Sequence, residues 1–200
     1  MTKVKLCGLR REQDIIYANE LRPEYIGFVF APKSKRYVTL KKAENLRRHL
    51  KSEITPVGVF VDEEINTVAA LVQRGIIDVI QLHGKEDEDY IRRLREQVDI
   101  RIIKAFCVGN KTDVEAANRS TADYVLLDAG QGSGNAFDWS LIQNMERPYF
   151  LAGGLTAVNV GSAIECLHPF AVDASSCLET GGFKDKEKMA AFVEAVRKRG

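Results

Sequence analysis

Cys7 ends the short run Val4-Lys5-Leu6-Cys7 and is followed at once by Gly8. A thiol at the end of a strand is a base or nucleophile if it ionises, and a small hydrophobe if it stays buried. Both readings are open for Cys7 taken alone, whereas Cys107 and Cys166 fit the buried, inert one. Asp128 closes Val125-Leu126-Leu127-Asp128. An acid behind three apolar residues either caps the next loop or serves as a general acid whose pKa is raised by partial burial. His83, in Gln81-Leu82-His83-Gly84, offers an acid, a donor or a structural imidazole. Arg36 ends the segment Phe30-Ala31-Pro32-Lys33-Ser34-Lys35-Arg36. Most such charge clusters are solvated surface, but a guanidinium at a strand end can hold a carboxylate with two parallel N–H bonds.

Two other segments suggest a phosphate site. Gly153-Gly154 lets backbone N–H groups approach an anion closely, and Ser175-Ser176 after Ala174 adds hydroxyl donors. A short helix starting at those serines would aim its N-terminus at the same anion. The run Gly130-Gln131-Gly132-Ser133-Gly134 reads as a loop able to fold over a ligand. It is not a P-loop, because no Gly-Lys-Ser/Thr follows.

These residues need a frame that brings strand ends together. Apolar runs recur at roughly 20- to 25-residue intervals, each followed by a polar helical stretch, which is the signature of βαβ units and a parallel sheet. Strands are expected at Val4–Cys7, Tyr25–Phe30, Pro56–Val61, Val79–Leu82, Arg101–Ala105, Tyr124–Asp128, Tyr149–Ala152 and Ala171–Ala174. Helices are expected at Arg11–Glu20, Leu40–Leu50, Glu63–Arg74, Glu86–Gln97, Asp113–Ser120, Ser140–Asn144, Ala157–Cys166 and Lys186–Arg199. Eight such pairs predict an α/β fold, a (β/α)8 TIM barrel formed as one domain by residues 1–200. The rival is a doubly wound open sheet, reached by discarding the weak fourth and seventh strands. In the barrel all eight strand ends form one ring, and phosphate sites commonly use the loops after strands 7 and 8, where Gly153-Gly154 and Ser175-Ser176 fall.

Composition narrows the partners. The 200 residues hold 29 Lys and Arg against 28 Asp and Glu, so no basic surface is predicted and no nucleic acid is expected. A small anionic ligand needs only a local site. Four cysteines without a C-x-x-C pair, and three scattered histidines, give no zinc spacing and suggest free thiols. No signal-like or membrane-spanning run is evident, so a soluble, cytoplasmic protein is expected. The pattern leaves monomer and homodimer open.

Taken in order, these motifs resemble the phosphoribosylanthranilate isomerase family of tryptophan biosynthesis. The resemblance runs through Lys5-Leu6-Cys7-Gly8, Gly27-Phe28-Val29-Phe30 with Pro32-Lys33-Ser34 and Arg36, and Gly58-Val59-Phe60-Val61. It continues through Gln81-Leu82-His83-Gly84, Leu127-Asp128, and Gly132-Ser133-Gly134 with Phe137-Asp138-Trp139. It ends in Leu151-Ala152-Gly153-Gly154-Leu155 and Asp173-Ala174-Ser175-Ser176 with Glu179 and Lys184-Asp185. The resemblance implies a barrel catalysing an Amadori rearrangement of a phosphorylated small molecule, N-(5-phosphoribosyl)anthranilate, without metal or organic cofactor. It implies Cys7 as general base, Asp128 as general acid and Arg36 on the anthranilate carboxylate. His83 falls within the substrate site, and Gly153, Gly154, Ala174, Ser175 and Ser176 hold the phosphate. A base of this kind needs a thiolate near neutral pH, whereas an ordinary thiol titrates near ~8.5. Cys177 replaces a usual glycine after Ser-Ser, which strains the loop if that position needs positive φ. Gly181-Gly182 replaces a usual Pro-Gly, a change expected to loosen the segment. The histidine-pathway sugar isomerase performs the same rearrangement, but it carries an aspartate where this chain has Cys7. A non-catalytic phosphate-binding domain is the remaining alternative.

Overall fold

The computed structural model describes residues 1–128, 139–142 and 144–199. The glycine-rich loop expected at 130–134 lies outside them. Eight parallel strands close into a barrel: β1 (Lys3–Cys7), β2 (Tyr25–Val29), β3 (Thr55–Phe60), β4 (Val79–Leu82), β5 (Arg101–Cys107), β6 (Tyr124–Asp128), β7 (Tyr149–Ala152) and β8 (Ala171–Ala174). Both strands that the open-sheet reading would discard are paired on each side, β4 with β3 and β5, and β7 with β6 and β8. The ring closes where β1 pairs with β8, in the register Lys5 opposite Asp173.

The intervening helices are α1 (Glu12–Leu21), α2 (Leu40–His49), α3 (Ile65–Gln73), α4 (Glu88–Arg95), α5 (Lys111–Arg119), α6 (Val160–Leu167) and α7 (Lys186–Arg197). Thr39 and Asp185 cap α2 and α7, as their side chains accept from Lys42 N, and from Glu187 N and Lys188 N. The fourth helix starts two residues later than expected because Asp87 caps it by accepting from Tyr90 N. The sixth expected helix is shorter in kind, a 3₁₀ turn over Trp139–Ile142.

Side chains alternate across each strand, so β1 sends Val4 and Leu6 outward to the helices and Lys5 and Cys7 inward. Tyr25, Val57, Val79, Ile103, Leu126, Phe150 and Ala171 fill the interior. Phe150 meets Tyr25, Tyr124 and Phe170 edge-on, with ring centroids 5.4–5.7 Å apart. Tyr25, Tyr124 and Phe170 all lie at strand beginnings. The N-terminal end is therefore plugged with aromatic rings, and the barrel opens at its C-terminal end.

Two cysteine expectations are corrected. Cys107 and Cys166 are exposed, not buried. Cys107 is the last residue of β5, beyond the packed interior, and Cys166 sits near the end of α6 on its solvent side. Among the described residues, no helix is long and apolar enough to cross a membrane.

One element was not foreseen. After β8 the chain makes a 3₁₀ turn (Ser176–Leu178) and a hairpin of β9 (Glu179–Thr180) and β10 (Phe183–Lys184). Gly181 and Gly182 form its two-residue tip with φ of 59° and 79°. That left-handed pair matches the twist of a tight hairpin, and proline could not adopt it. The glycine pair thus suits the two-residue tip of the hairpin. Cys177 is not among the described non-glycine residues at positive φ, which are Arg22, Asp62 and His168, so the expected strain there is absent.

Candidate active site

A pocket of ≈ 360 Å³ opens at the C-terminal end of the barrel. Its lining includes every residue assigned to the site from sequence: Cys7, Arg36, His83, Asp128, Gly153, Gly154, Ala174, Ser175 and Ser176. Strand parity explains the convergence. Cys7 lies two residues beyond Lys5, His83 two beyond Gln81, and Asp128 two beyond Leu126, so all three inherit the inward face.

Cys7 is held from behind. Its Cα pairs with Gly27 in β2, and a Cβ built on Gly27 would lie 2.6 Å from Cys7 Sγ. Only glycine leaves the thiol its place. Gly8, at φ 82°, turns the chain out of the barrel and donates its N–H to Gly27 O at 2.9 Å. A Cβ on Gly8 would strike Arg36 Cδ at 2.3 Å. The β1 exit therefore shapes both the thiol and the guanidinium stem.

Lys5 lies directly beneath the thiol, fully buried, with Nζ 2.9 Å from Asp173 Oδ2. Burial opposes the ammonium charge. Asp173, and then Cys7 within hydrogen-bond reach, overcome it and hold Lys5 above the ordinary lysine range. For Cys7 the balance is reversed. Burial pushes the thiol up, Lys5 and Lys184 pull it down, and burial prevails. The thiolate that a base needs is thus disfavoured by burial, and the thiol is the favoured resting form.

Across the pocket, His83 Nε2 stands 3.6 Å from Asp128 Oδ2, and His83 Nδ1 is 2.9 Å from Gln81 Nε2. With the Gln81 amide donating, Nδ1 accepts and the ring proton sits on Nε2, facing the carboxylate. His83 thus faces Asp128 without a direct hydrogen bond between them. The β4 exit is in turn fixed by buried Glu86, which accepts from Gly84 N, Asp62 N and Lys104 Nζ at 2.8–2.9 Å. Gln81 Oε1 and Asp173 Oδ1 are buried without a hydrogen-bond partner among the described residues.

The far rim has the features of an anion site. Gly153 and Gly154 both adopt positive φ, 88° and 66°, directly after β7. Ser175 Oγ donates to the Cys7 carbonyl at 3.0 Å, and the 3₁₀ turn begins at Ser176. Lys184 Nζ reaches Ser175 O at 2.9 Å and Glu179 Oε1 at 2.8 Å. Arg36 faces Glu179, with Nε 2.6 Å from Oε1 and Nη2 3.0 Å from Oε2.

Lys5, Gln81, Glu179 and Lys184 had no role assigned from sequence. The two-residue offset from Cys7 and His83 was a usable signal for Lys5 and Gln81. Glu179 and Lys184 stood only among the residues of the resemblance; that Glu179 meets Arg36 across 143 positions of sequence was not readable locally. Among the described residues, no group of three or more His, Cys, Asp or Glu is gathered to hold a metal.

Comparison with known proteins agrees with this geometry. The family model described as N-(5'phosphoribosyl)anthranilate (PRA) isomerase matches residues 4–195. The N-(5'-phosphoribosyl)anthranilate isomerase of Clostridium acetobutylicum is 44% identical, with 99% of each chain covered. That of Caldanaerobacter subterraneus is 42% identical over 98% of each. Among solved structures, the phosphoribosyl anthranilate isomerase of Thermotoga maritima superposes with a TM-score of 0.90 at 36% identity, covering 99% of this chain and 100% of that one. A phosphoribosyl anthranilate isomerase in complex with reduced 1-(o-carboxyphenylamino)-1-deoxyribulose 5-phosphate matches with a TM-score of 0.87 at 36% identity, over 99% and 100% of the two chains. A match over nearly the whole chain, with each strand-end motif in its place around one pocket, means that the chain belongs to the N-(5'-phosphoribosyl)anthranilate isomerase family.

Proposed function

We propose that this chain isomerises N-(5-phosphoribosyl)anthranilate to 1-(2-carboxyphenylamino)-1-deoxyribulose 5-phosphate in tryptophan biosynthesis, as a soluble cytoplasmic enzyme. The observation that carries the reading is that Cys7 and Asp128 line one pocket whose rim also holds Arg36, Gly153-Gly154 and Ser175-Ser176. A ligand bearing both a carboxylate and a phosphate meets N–H, hydroxyl and guanidinium donors on this rim.

In this reading the backbone after β7 and the serines after β8 take the phosphate, and Arg36 takes the anthranilate carboxylate. β7 and β8 lie between β6 and β1 in the ring, so a phosphate bound there sits between the acid and the base. Asp128 gives a proton to the furanose ring oxygen, the C1′–O bond breaks, and the nitrogen lone pair forms the iminium. Cys7 as thiolate then removes the C2′ proton, and the C–H electrons neutralise the iminium to give an enolamine. Tautomerisation to the aminoketone moves the hydroxyl proton to C1′, and the atoms balance as an isomerisation. The cationic nitrogen is the electron sink, and the buried charge of Lys5 favours the thiolate that the step requires.

Positioned acid and base groups contribute ~10²–10⁴-fold each. Cys7→Ala and Asp128→Ala are therefore expected to lose about that much turnover while keeping the native circular dichroism spectrum. Loss of the substrate's anthranilate fluorescence on adding purified protein reads the activity. Near-normal turnover in Cys7→Ala removes it as the base, and no change with wild-type protein at high concentration leaves a binding role in place of the reaction.

A further inference from the structure

We infer that Glu179 is a positioning residue for substrate recognition: it fixes the Arg36 guanidinium by one edge so that the opposite edge is presented to the aromatic carboxylate. The inference rests on the proposed isomerase reading, in which Arg36 takes that carboxylate.

A guanidinium has five N–H donors in a rigid plane, forming two forks. Glu179 occupies the fork made by Nε and Nη2, at 2.6 and 3.0 Å. Among the described residues, the fork made by Nη1 and the second Nη2 hydrogen meets no hydrogen-bonding protein partner, in a side chain that lines the pocket. A carboxylate meeting that edge makes two parallel charge-assisted bonds without any reorientation. Without the first fork, the guanidinium is free to rotate about its long stem, and binding must order it.

Charge supports the assignment. An isolated Arg36–Glu179 pair is neutral and attracts an anion weakly. Lys184 Nζ, 2.8 Å from the same Glu179 carboxylate, brings the cluster to one net positive charge, which a single carboxylate neutralises. Burial opposes the charge on Glu179, but Arg36 and Lys184 outweigh it and hold the carboxyl below its usual range.

The support is also rigid. Phe183 of the hairpin lies under the guanidiniums of Arg10 and Arg11, 4.8 and 4.6 Å from its ring centroid. Arg10 donates to Gly182 O at 2.7 Å, and Arg11 to Lys184 O at 2.8 Å. The hairpin is thus clamped to the loop that follows Cys7, and Glu179 stands on a fixed platform.

The test compares two ligands on the full chain by titration calorimetry: reduced 1-(o-carboxyphenylamino)-1-deoxyribulose 5-phosphate, and the same compound without the ring carboxylate. The wild-type protein is expected to prefer the first by about tenfold or more, as two charge-assisted hydrogen bonds allow. In Glu179→Gln that preference should fall by about fivefold or more, through weaker binding of the carboxylate ligand, with the other ligand changed less than about twofold. Arg36→Lys, which keeps a charge but has no second fork, should lose the preference likewise. The inference is overturned if Glu179→Gln keeps or increases the preference, which would mean that Glu179 only damps the Arg36 charge. It is also overturned if both ligands weaken equally, or if Arg36→Lys retains full preference. Equal wild-type affinity for the two ligands is a different failure, that of Arg36 as the carboxylate group. A preference is a ratio on one protein, so partial unfolding of a variant cancels. If Glu179→Gln does not fold, Glu179→Asp, which keeps the charge but draws it back from the guanidinium, is read in the same way, and an unchanged preference there overturns the inference.

Discussion

At the scale of single residues, the site is governed by one buried proton. Cys7 lies between a desolvated environment that favours the thiol and two ammonium groups that favour the thiolate. Burial wins, so its pKa lies above the ordinary value, and the thiolate becomes the major form only beyond that point. The sign is directly measurable. Alkylation by iodoacetamide follows the thiolate fraction, so modification of the Cys7 peptide, read by mass spectrometry, should keep accelerating with pH past the ordinary thiol value of about 8.5. A rate already level at pH 7 would show a standing thiolate and contradict the burial argument. Exposed Cys107 and Cys166 serve as internal controls. If Cys7 is the base, as proposed, its thiolate forms against burial and with the help of the Lys5 and Lys184 charges.

At the scale of elements, the strands set the position of each group and the loops refine it. The β2 strand contributes no acid or base, yet Gly27 decides where the thiol points. Gly27→Ala adds a carbon 2.6 Å from Sγ, so Cys7 must leave its rotamer or β1 must shift. Turnover is expected to fall about tenfold or more, with a loss of about 1–3 kcal/mol in stability from overpacking, read by urea unfolding. Unchanged turnover would mean that the thiol position is not critical. The strands and most helices were legible in the sequence, because period-two and helical patterns are local. The 3₁₀ turn at Trp139–Ile142 and the hairpin at 179–184 were not. The first is too short to show a period. The second rests on the left-handed conformations of Gly181 and Gly182, which a dipeptide permits but does not announce.

At the scale of the whole molecule, barrel closure and the site share a contact. Lys5 of the first strand and Asp173 of the last form a largely buried pair, 168 positions apart, at the seam between β1 and β8 on the floor of the pocket. Breaking such a pair leaves an uncompensated buried charge. Lys5→Met should therefore cost about 3–5 kcal/mol, measured as a lowered urea midpoint, and Lys5→Met with Asp173→Leu should recover most of it. If the single variant is as stable as wild type, the pair does not hold the seam. The near-zero net charge supplies no global field, so attraction of an anionic ligand must come from local groups such as Arg36, Lys184 and the backbone at Gly153-Gly154.

By itself, the sequence determined the eight strands, most of the helices between them and the identity of the residues at the strand ends, while the pairing of β4 and β7 that closes the ring was decided by the structure. Apolar periodicity and the rule that chemistry gathers at the carboxyl ends of parallel strands are both readable from one chain. Arg36 shows where this stops. Its charge and loop were evident, but not that Glu179 holds one of its edges. Cys7 shows the same for ionisation: the residue type allowed a base, and only the packed barrel fixed its resting form as the thiol. Such properties depend on burial and on charges distant in sequence, and these exist only once the ring has closed.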